Sequence, residues 1–320
     1  MFQRLIVILC GLLLAQAAFA QDYPRRPVRL VVPFASGGPT DIAGQILARV
    51  MQERLGQPVV VENKTGAAAV AGTDFVAKSP NDGYTVLLGT IAHTITPALY
   101  KTLPYDPVKD FAPVGLIARA PLVMVVRPSL PAANVADIIK LMKEQPGKLS
   151  YGSAGNGAVD HLAAGWFEAR AGVKGLHVPY RGSAPAIQDL VAGRLDFMVT
   201  TFHPVLPHIQ SGALRPLAAA SAERLSQLPN VPTMAQAGLA EFEVSTWYSL
   251  LLPAGTAPAI VATLNKALVA SLADADLKKR FLELGAEIAT DNAPEQLARF
   301  IGVELKRWAA VAESAKLEKQ

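Results

Sequence analysis

The sequence predicts an α/β protein with two domains, each a mostly parallel sheet flanked by helices. Short apolar segments alternate with segments of helical periodicity along most of the chain, which is typical of parallel α/β folds. A chain of 320 residues suits two domains of ordinary size, and its 51% hydrophobic content is ample for two cores. Segments 118–123 and 244–250 are predicted to cross between the domains. The expected lobes are residues 21–120 with 246–320, and residues 121–245.

The first 20 residues form a predicted secretory signal peptide. Arg4 precedes an apolar run at 5–14, and the pattern A-x-A before Gln21 is typical of a cleavage site. The run is shorter than the roughly 20 residues that span a bilayer, which favours a cleaved leader over a membrane anchor. Cys10 is the single cysteine, and Leu9 before it is too bulky for a lipobox, so the mature chain is expected to lack disulfides. We therefore expect a periplasmic protein.

The first predicted domain begins with alternating strands and helices. Strands are predicted at 28–32, 59–61 and 85–88, helices at 42–55 and 68–78, and Gly56 ends the first helix. The turn 80–83 breaks the chain before the third strand. A polar, proline-marked stretch at 97–113 carries no predicted element, and strands at 114–117 and 122–126 flank the first crossing.

The same alternation restarts in the second predicted domain. Its predicted strands are 149–151, 176–179, 196–199 and 214–220. Its predicted helices are 135–144, 159–171 closed by Gly172, and 183–191 capped by Ser183 and ended by Gly193. Residues 244–252 return to the first domain, which two helices at 260–272 and 294–316 complete.

Two glycine-rich turns each connect a predicted strand to a predicted helix. The first lies in residues 30–41, which read LVVPFASGGPTD, and the second in residues 149–157, which read LSYGSAGNG. Such a turn presents unpaired backbone N–H groups at the positive end of a helix, which is a ready anion site. Gly37 and Gly38 are expected to permit positive φ and to leave room for a ligand. Since both turns follow the carboxyl ends of strands, the sequence suggests one small anion held from both sides.

The sequence carries no motif for a cofactor, a metal or catalysis. Residues 152–157 follow GxxGxG in place of the dinucleotide pattern GxGxxG, and Gly147-Lys148 is not part of a P-loop. The five histidines include no HExxH motif, and Ser153 lacks the GxSxG elbow of a hydrolase. Lysines and arginines are scattered at a net charge of +4, which argues against nucleic-acid binding.

Several polar side chains near these turns have two candidate roles. Asp41 is expected to be structural, as a first-turn residue that the helix dipole favours. For His161, a structural role is favoured over a cleft position. Arg181, in the loop Tyr180-Arg181-Gly182, can pair a ligand carboxylate bidentately or brace its own loop, and both roles stay open.

Several segments resemble those of a known receptor family. They are PFASGGPTD at 33–41, DGYTVLLG at 82–89, LPYDPVKDF at 103–111, VPYRG at 178–182 and PAGT at 253–256, with further matches between them. On these segments the chain resembles the extracytoplasmic solute receptors of tripartite tricarboxylate transporters, the Bug (TctC-like) family. The resemblance runs in order along essentially the whole mature chain.

The resemblance implies a two-domain, type II periplasmic-binding-protein fold and a small carboxylate ligand. In such receptors a carboxylate lies between two glycine turns, held mainly by backbone groups and bridging water, and here those turns are 34–41 and 153–156. The ligand's other end meets residues that differ between members. The candidate ligand contacts are Phe34, Ser36, Gly37, Gly38, Thr40, Asp41, Thr90, His93, Ser153, Ala154, Gly155, Asn156, His161, Tyr180, Arg181, Thr201 and Phe202.

The sequence thus predicts a secreted, monomeric receptor that captures a small organic carboxylate, uses no cofactor or metal and does no chemistry. Residues 200–202 lack the acidic residue that some family members carry to meet an amino group, which favours a plain or aromatic carboxylate over an amino acid. The resemblance implies a membrane permease as partner. Two alternatives stay open: a stand-alone ligand sensor for a membrane receptor, and a secreted hydrolase or lyase that uses Ser153 with His161 or His203 as base.

Overall fold

The computed structural model describes residues 23–314 and Lys319, so the predicted signal peptide and its cleavage site before Gln21 lie outside the described residues. The strands of the described chain are β1 (Val28–Val32), β2 (Val59–Asn63), β3 (Thr85–Thr90), β4 (Phe111–Val126), β5 (Ser150–Ser153), β6 (Leu176–Pro179), β7 (Phe197–Thr201), β8 (Arg215–Ala219), β9 (Ser245–Pro253) and β10 (Glu287–Ile288). Its helices are α1 (Pro39–Leu55), α2 (Val70–Ala77), α3 (Ala92–Leu99), α4 (Val135–Glu144), α5 (Val159–Ala171), α6 (Ser183–Val191), α7 (Phe202–Gln210), α8 (Pro258–Leu272), α9 (Ala275–Glu283) and α10 (Pro294–Ser314). Within this described part, no helix has both the length and the apolar character needed to span a bilayer.

The strands form one ten-stranded sheet in which β4 joins two halves. The order is β2-β1-β3-β9-β4-β7-β5-β6, with β8 and β10 also paired to β4. Residues 111–121 of β4 pair with β9, whereas residues 122–126 pair with β7 and β8. We call β1, β2, β3, β9, β10 and residues 111–121 the first half-sheet, and β5 to β8 with residues 122–126 the second half-sheet.

Strand directions bring the carboxyl ends of the two half-sheets toward each other. β1, β2 and β3 are parallel to one another, β3 is antiparallel to β9, and β9 is antiparallel to β4. β7 is antiparallel to β4, and β5 is parallel to both β6 and β7. The strands β1 to β3 therefore point along β4 and the strands β5 to β7 point against it, so both sets end near the middle of β4.

The register gives the distance between these ends along β4. Thr90, the last residue of β3, pairs with Tyr248, which in turn pairs with Ala118 of β4. Thr201, the last residue of β7, pairs with Leu122 of β4. Ala118 and Leu122 are separated by about 13 Å of extended strand.

Alternating residues of the strands face two different cores. Leu30 and Val32 of β1 lie in a cluster with residues of α1, α8 and α9, whereas Val31 lies in a cluster with residues of α3 and α10. The second of these clusters continues into the second half-sheet through Leu122 and Met124 of β4, both fully buried. An apolar core therefore runs through the place where β4 changes partners.

Some predicted boundaries are wrong. The strands predicted at 114–117 and 122–126 belong to one 16-residue strand, so the crossing is a change of partners within β4. α2 begins at Val70 and not at 68, because Ala67, Ala68 and Ala69 have positive φ. The N-cap of α6 is Gly182, and the predicted Ser183 cap is absent.

Three helices of the described chain were not predicted from the sequence. α3 overlaps the stretch at 97–113 that carried no predicted element, and α9 was not predicted. α7 carries Pro204 and Pro207, which are read as loop signals in a sequence. Pro204 lies in the first turn, where a missing N–H costs no intrahelical hydrogen bond.

Candidate functional site

The first glycine turn connects β1 to α1 and is held in shape by Asp41. The Asp41 carboxylate is buried and accepts hydrogen bonds from the Gly37 backbone N–H at 2.9 Å and from the Ser36 hydroxyl at 3.3 Å. Asn63, at the end of β2, donates to its other oxygen at 2.9 Å and to the Phe34 carbonyl at 3.0 Å. The hydrogen bond from Gly37, with those from Asn63 and Ser36, holds the pKa of Asp41 below its ordinary value, so this residue is a charged brace of the turn.

Asp41 therefore occupies donors that the sequence analysis assigned to the ligand. The Gly37 N–H and the Ser36 hydroxyl both donate to its carboxylate. The first hydrogen bond within α1 runs from Ile42 N to Gly38 O at 3.0 Å. The N–H groups of Thr40 and Asp41 precede it and have no partner within the helix, so they are the donors that α1 presents to an anion.

The two glycines of this turn have different conformations. Gly37 has φ of +81°, in the left-handed region that favours glycine. Gly38 is the N-cap of α1 with φ of −79° and ψ of 167°, which any residue can adopt, so the expectation of a positive φ there is wrong. A Cβ on Gly38 would meet only the Ala35 carbonyl, at 3.4 Å. Neither the backbone angles of Gly38 nor the space around it therefore require glycine at this position.

The second glycine turn connects β5 to α5 and has the same kind of brace. Asp160, on the first turn of α5, is 3% exposed and accepts from the Ala154 N–H at 2.8 Å and from the His161 N–H at 2.9 Å. Gly155 has φ of +130°, and Gly157 has φ of +78° with its N–H donating to His161 Nδ1 at 3.1 Å. Each turn is thus closed by a buried aspartate from the helix that follows it.

Three aromatic side chains form a stack beneath the second turn. The rings of His161 and His177 are parallel, with centroids 4.0 Å apart. The Tyr151 ring stacks on His177, with centroids 5.0 Å apart. Burial lowers the pKa of His161, and burial with the neighbouring His161 lowers the pKa of His177 to about 4, so both imidazoles are neutral at pH 7. Since His161 Nδ1 accepts from Gly157, its proton lies on Nε2.

Ser153 does not have the surroundings of a nucleophile. Its hydroxyl lies 2.6 Å from His177 Nε2 and 3.2 Å from the Gly155 carbonyl, and the residue has no exposed surface. The base candidates of the hydrolase alternative, His161 and His203, are not its hydrogen-bond partners. A nucleophile must reach its substrate, so this environment favours a structural role for Ser153.

The loop after β6 is fastened to the second turn by its backbone. Tyr180 N donates to Ser153 O at 3.0 Å, and Gly182 N donates to Ala154 O at 3.1 Å. The Tyr180 hydroxyl donates to Asp189 at 2.7 Å, which ties this side chain to α6. Arg181 between them is exposed, so its guanidinium is the cation that this loop presents beside the turn.

The structure buries three other candidate contacts, His93, Phe202 and Thr90, the last of which is 6% exposed. His93 is 2% exposed, its Nε2 lies 2.8 Å from the Pro107 carbonyl, and its ring packs edge-on against Phe111 at 4.9 Å. Phe202 is 4% exposed and belongs to the core of the second half-sheet. Thr90 and Thr201 end β3 and β7, next to the starts of α3 and α7. The turn residues Phe34, Gly38 and Thr40, and Ala154, Gly155 and Asn156 in the second turn, are partly or fully exposed.

Three residues that shape the site were not predicted from the sequence. They are Asn63, Asp160 and His177, which respectively brace the first turn, brace the second turn and contact Ser153. Asp160 had a signal in the sequence: an aspartate shortly after each glycine turn, at 41 and at 160. Asn63 and His177 lie on neighbouring strands, so their contacts follow from sheet pairing and not from local spacing.

A groove elsewhere on the surface lacks the character of an anion site. It has a volume of about 580 Å³ and lies at the amino ends of β1 and β3, opposite the two turns. Its cations are paired: Arg26 lies 2.9 Å from Asp82, and Lys78 lies 2.7 Å from Asp74. In the described part of the chain, no cluster of three or more side chains is suited to hold a metal ion.

Comparison with known proteins identifies the class. The family model of the tripartite tricarboxylate transporter family receptor, TctC, matches residues 43–317, and the chain belongs to this family. Protein BugT of Bordetella pertussis is 38% identical over 317 residues, covering 96% of each chain. An R. palustris protein solved with adipate has a TM-score of 0.78 at 37% identity, covering 93% of this chain and 100% of that one. MatC from Rhodopseudomonas palustris, solved with bound malate, has a TM-score of 0.75 at 34% identity, covering 90% and 99%.

These comparisons confirm the predicted family and α/β fold. Members of the family are solute-binding receptors and not enzymes, so the prediction of a receptor is confirmed as well. The family is periplasmic. Adipate and malate are carboxylates, and they are the ligands of those two structures.

Proposed function

We propose that this chain binds a small organic carboxylate between its two glycine turns and delivers it to a membrane permease of the tripartite tricarboxylate transporter type. In this proposal the half-sheets are the two lobes of the receptor, residues 21–120 with 246–320 and residues 121–245. The mature receptor is a monomer that returns its ligand unchanged.

One observation carries the proposal. The strands β1 to β3 and β5 to β7 end near the middle of β4 from opposite directions. One strand of each set, β1 and β5, ends in a glycine turn that precedes a helix. Helix N-termini carry partial positive charge and unpaired N–H groups, so two of them directed toward one space favour an anion there. A carboxylate has two oxygens and can accept from both turns.

The proposed set of ligand contacts is smaller than the set predicted from the sequence. From the first turn we keep Phe34, Gly38 and the N–H groups of Thr40 and Asp41, because Asp41 occupies the Gly37 and Ser36 donors. From the second turn we keep Asn156 as the proposed N–H donor, with Ala154 and Gly155 as backbone lining the space, because their N–H groups donate to Asp160 and to the Ser153 hydroxyl. His161, Arg181 and Thr201 are placed near the ligand's other end. The buried side chains of His93, Ser153 and Phe202 do not belong to this set.

Isothermal titration calorimetry with adipate and malate, each beside its dimethyl ester, tests the proposal. The acids are expected to bind at one equivalent, and the esters at least tenfold more weakly, because they lack the charge that the N–H groups favour. Mass spectrometry of the recovered ligand is expected to show it unchanged. Equal affinity for acid and ester would contradict recognition of a carboxylate. Turnover of the ligand would contradict a receptor that does no chemistry.

The proposed leader has its own test. Secretion with cleavage before Gln21 follows from the apolar run and the A-x-A pattern. Intact-mass analysis of the periplasmic protein is expected to give a chain that starts at Gln21. A retained Met1 or a lipid on Cys10 contradicts this.

A further inference from the structure

Asp160 is a buried carboxylate without a cation. It is 3% exposed, and its two oxygens accept from the Ala154 and His161 backbone N–H groups. In the described part of the chain no salt bridge reaches it. Ala154 belongs to the turn that we propose binds the ligand, so Asp160 lies one hydrogen bond away from that anion site.

Asp41, its counterpart in the first turn, is better stabilised as an anion. It accepts from one backbone N–H, a hydroxyl and an amide, and these donors lower its pKa. Burial raises the pKa of Asp160 to about 6, against the opposing effect of its backbone donors. The two turns therefore have braces of similar geometry but of different readiness to take up a proton.

The groups around Asp160 do not change this conclusion. On its own helix and on β5 and β6, His161, His177 and Tyr151 are uncharged at pH 7, the last because burial raises its pKa. Further along α5, Glu168 lies 3.5 Å from Lys174, and α10 contributes the ion pair of Glu304 with Arg307. β7, which also packs on α5, has no ionisable residue. The loop after β6 adds the exposed Arg181.

We propose that Asp160 couples ligand capture to proton uptake, so that the second turn binds a carboxylate together with one proton from solvent on Asp160. This rests on the proposed function. Two carboxylates that share one turn disfavour each other's charged form, and Asp160, buried and without a cation, is the one that becomes neutral. No bond is made or broken except the O–H bond of Asp160, and the ligand stays an anion.

The coupling has a defined direction with pH. The complex holds the proton more tightly than the free receptor, so affinity falls as pH rises between the two pKa values of Asp160. The limit for one coupled proton is about tenfold in Kd for each pH unit. Burial lowers the pKa of His161 and, with the neighbouring His161, brings that of His177 to about 4, so both imidazoles are neutral at pH 7 before the ligand binds.

Calorimetry with adipate between pH 6.5 and 8.5 tests the coupling. Titrations at pH 7 in phosphate and in Tris, which differ in ionisation enthalpy, give the number of protons taken up. We expect an uptake of about half a proton or more for the parent. Asp160→Asn keeps an acceptor for the Ala154 N–H and removes the charge, so we expect no uptake, a flat pH profile and about tenfold tighter binding at pH 8.

Asp137→Asn is the matched control. Asp137 also lies on the first turn of its helix, α4, and accepts the Ala133 N–H at 2.8 Å, but it is remote from both turns in the fold. We expect it to match the parent in uptake and pH profile. A parent that binds adipate without proton uptake overturns the coupling and leaves the proposed function intact, even if Asp160→Asn fails to fold. A parent that binds no carboxylate overturns both.

Discussion

At the scale of single residues, the turns combine a flexible glycine with a fixed aspartate. Gly37 supplies the left-handed backbone, and Asp41 holds it by accepting the Gly37 N–H at 2.9 Å. Neither residue needs to touch the ligand for the turn to have the right shape. The N–H groups of Thr40 and Asp41 point out of the end of α1 because they precede its first hydrogen bond, from Ile42 to Gly38.

The two glycines of the first turn are expected to respond differently to substitution. Gly37→Ala places a side chain at φ of +81°, so we expect a loss of about 1 kcal/mol in the free energy of unfolding. Gly38→Ala is compatible with φ of −79° and meets only Ala35 O at 3.4 Å, so we expect parental stability but weaker adipate binding. Urea denaturation and calorimetry measure both effects.

Gly193→Ala is the control for the first of these changes. Gly193 has φ of +77° and nothing within 4 Å of an added Cβ, but it follows α6, away from both turns. It is expected to lose the same stability and to bind adipate like the parent. If Gly38→Ala binds adipate as tightly as the parent, the ligand does not approach the first turn there.

His93 is expected to make the fold sensitive to acid. Burial lowers its pKa to about 4, below the ordinary 6.5. As pH falls, the unfolded chain binds a proton on His93 before the folded chain does. The stability that neutral, buried His93 contributes is therefore complete above pH 6.5 and is lost as pH falls toward 4. At pH 5 the loss from His93 amounts to about 2 kcal/mol.

His93→Gln tests this contribution. The glutamine amide can replace the Nε2 donor to Pro107 O but does not titrate. Lost ring packing on Phe111 is expected to lower stability at pH 7.5 by about 1–3 kcal/mol. The further loss on going to pH 5, measured by urea denaturation, is expected to be about 2 kcal/mol smaller than in the parent. An equal acid loss in both proteins would assign the acid sensitivity to other groups.

At the scale of elements, hydrophobic periodicity predicted the bounds of those helices and strands that depend mainly on local sequence. β1, α4, α5, β6 and α6 have the bounds that their periodicity predicts, and Gly172 ends α5 as predicted. The missed features depend on distant contacts. Ala67 to Ala69 adopt positive φ although alanine favours the right-handed helix, and the braces Asn63 and His177 act across strands.

Helix α10 is fastened to the segment before β9 by Arg307, which also forms an ion pair within the helix that the sequence did not indicate. Arg307 donates to Glu304, which is 2% exposed, at 2.6 Å and to the Glu243 carbonyl at 3.0 Å. The Trp308 indole donates to the other oxygen of Glu304 at 3.1 Å. Glu243 lies in the segment that returns to β9, so one side chain fastens the helix to that segment.

Replacing Arg307 alone is expected to lower the free energy of unfolding more than replacing both Arg307 and Glu304. Arg307→Met leaves a buried carboxylate without its cation, and we expect a loss of about 3 kcal/mol in the free energy of unfolding. Adding Glu304→Gln removes the stranded charge, so the double variant is expected to regain part of this stability. Urea denaturation of the parent, both single variants and the double variant gives the coupling. Additive losses would show that the pair does not act as a unit.

At the scale of the whole molecule, β4 and the return segment form the connection between the proposed lobes. Leu122 N donates to Val244 O at 3.0 Å, so the two crossing segments lie side by side. A ligand held by both turns favours the arrangement in which the lobes are close, and it shifts the population toward that arrangement.

Small-angle scattering measures this shift. Saturating adipate is expected to reduce the radius of gyration, since lobes that rotate about 118–123 and 244–250 close on the ligand. Dimethyl adipate at the same concentration is expected to leave the curve unchanged. Superimposable curves with and without adipate, in a protein that binds it, would contradict closure.

The central claim is that one carboxylate contacts both glycine turns. Backbone amide NMR of the ¹⁵N-labelled protein, titrated with adipate, tests it most directly. We predict that the amide signals of Thr40 and Asp41 in the first turn, and of Gly155 and Asn156 in the second, change together and reach their end points at one equivalent, while the signal of Gly193 does not move. Changes confined to one turn, or separate end points for the two turns, would contradict a single carboxylate held between them.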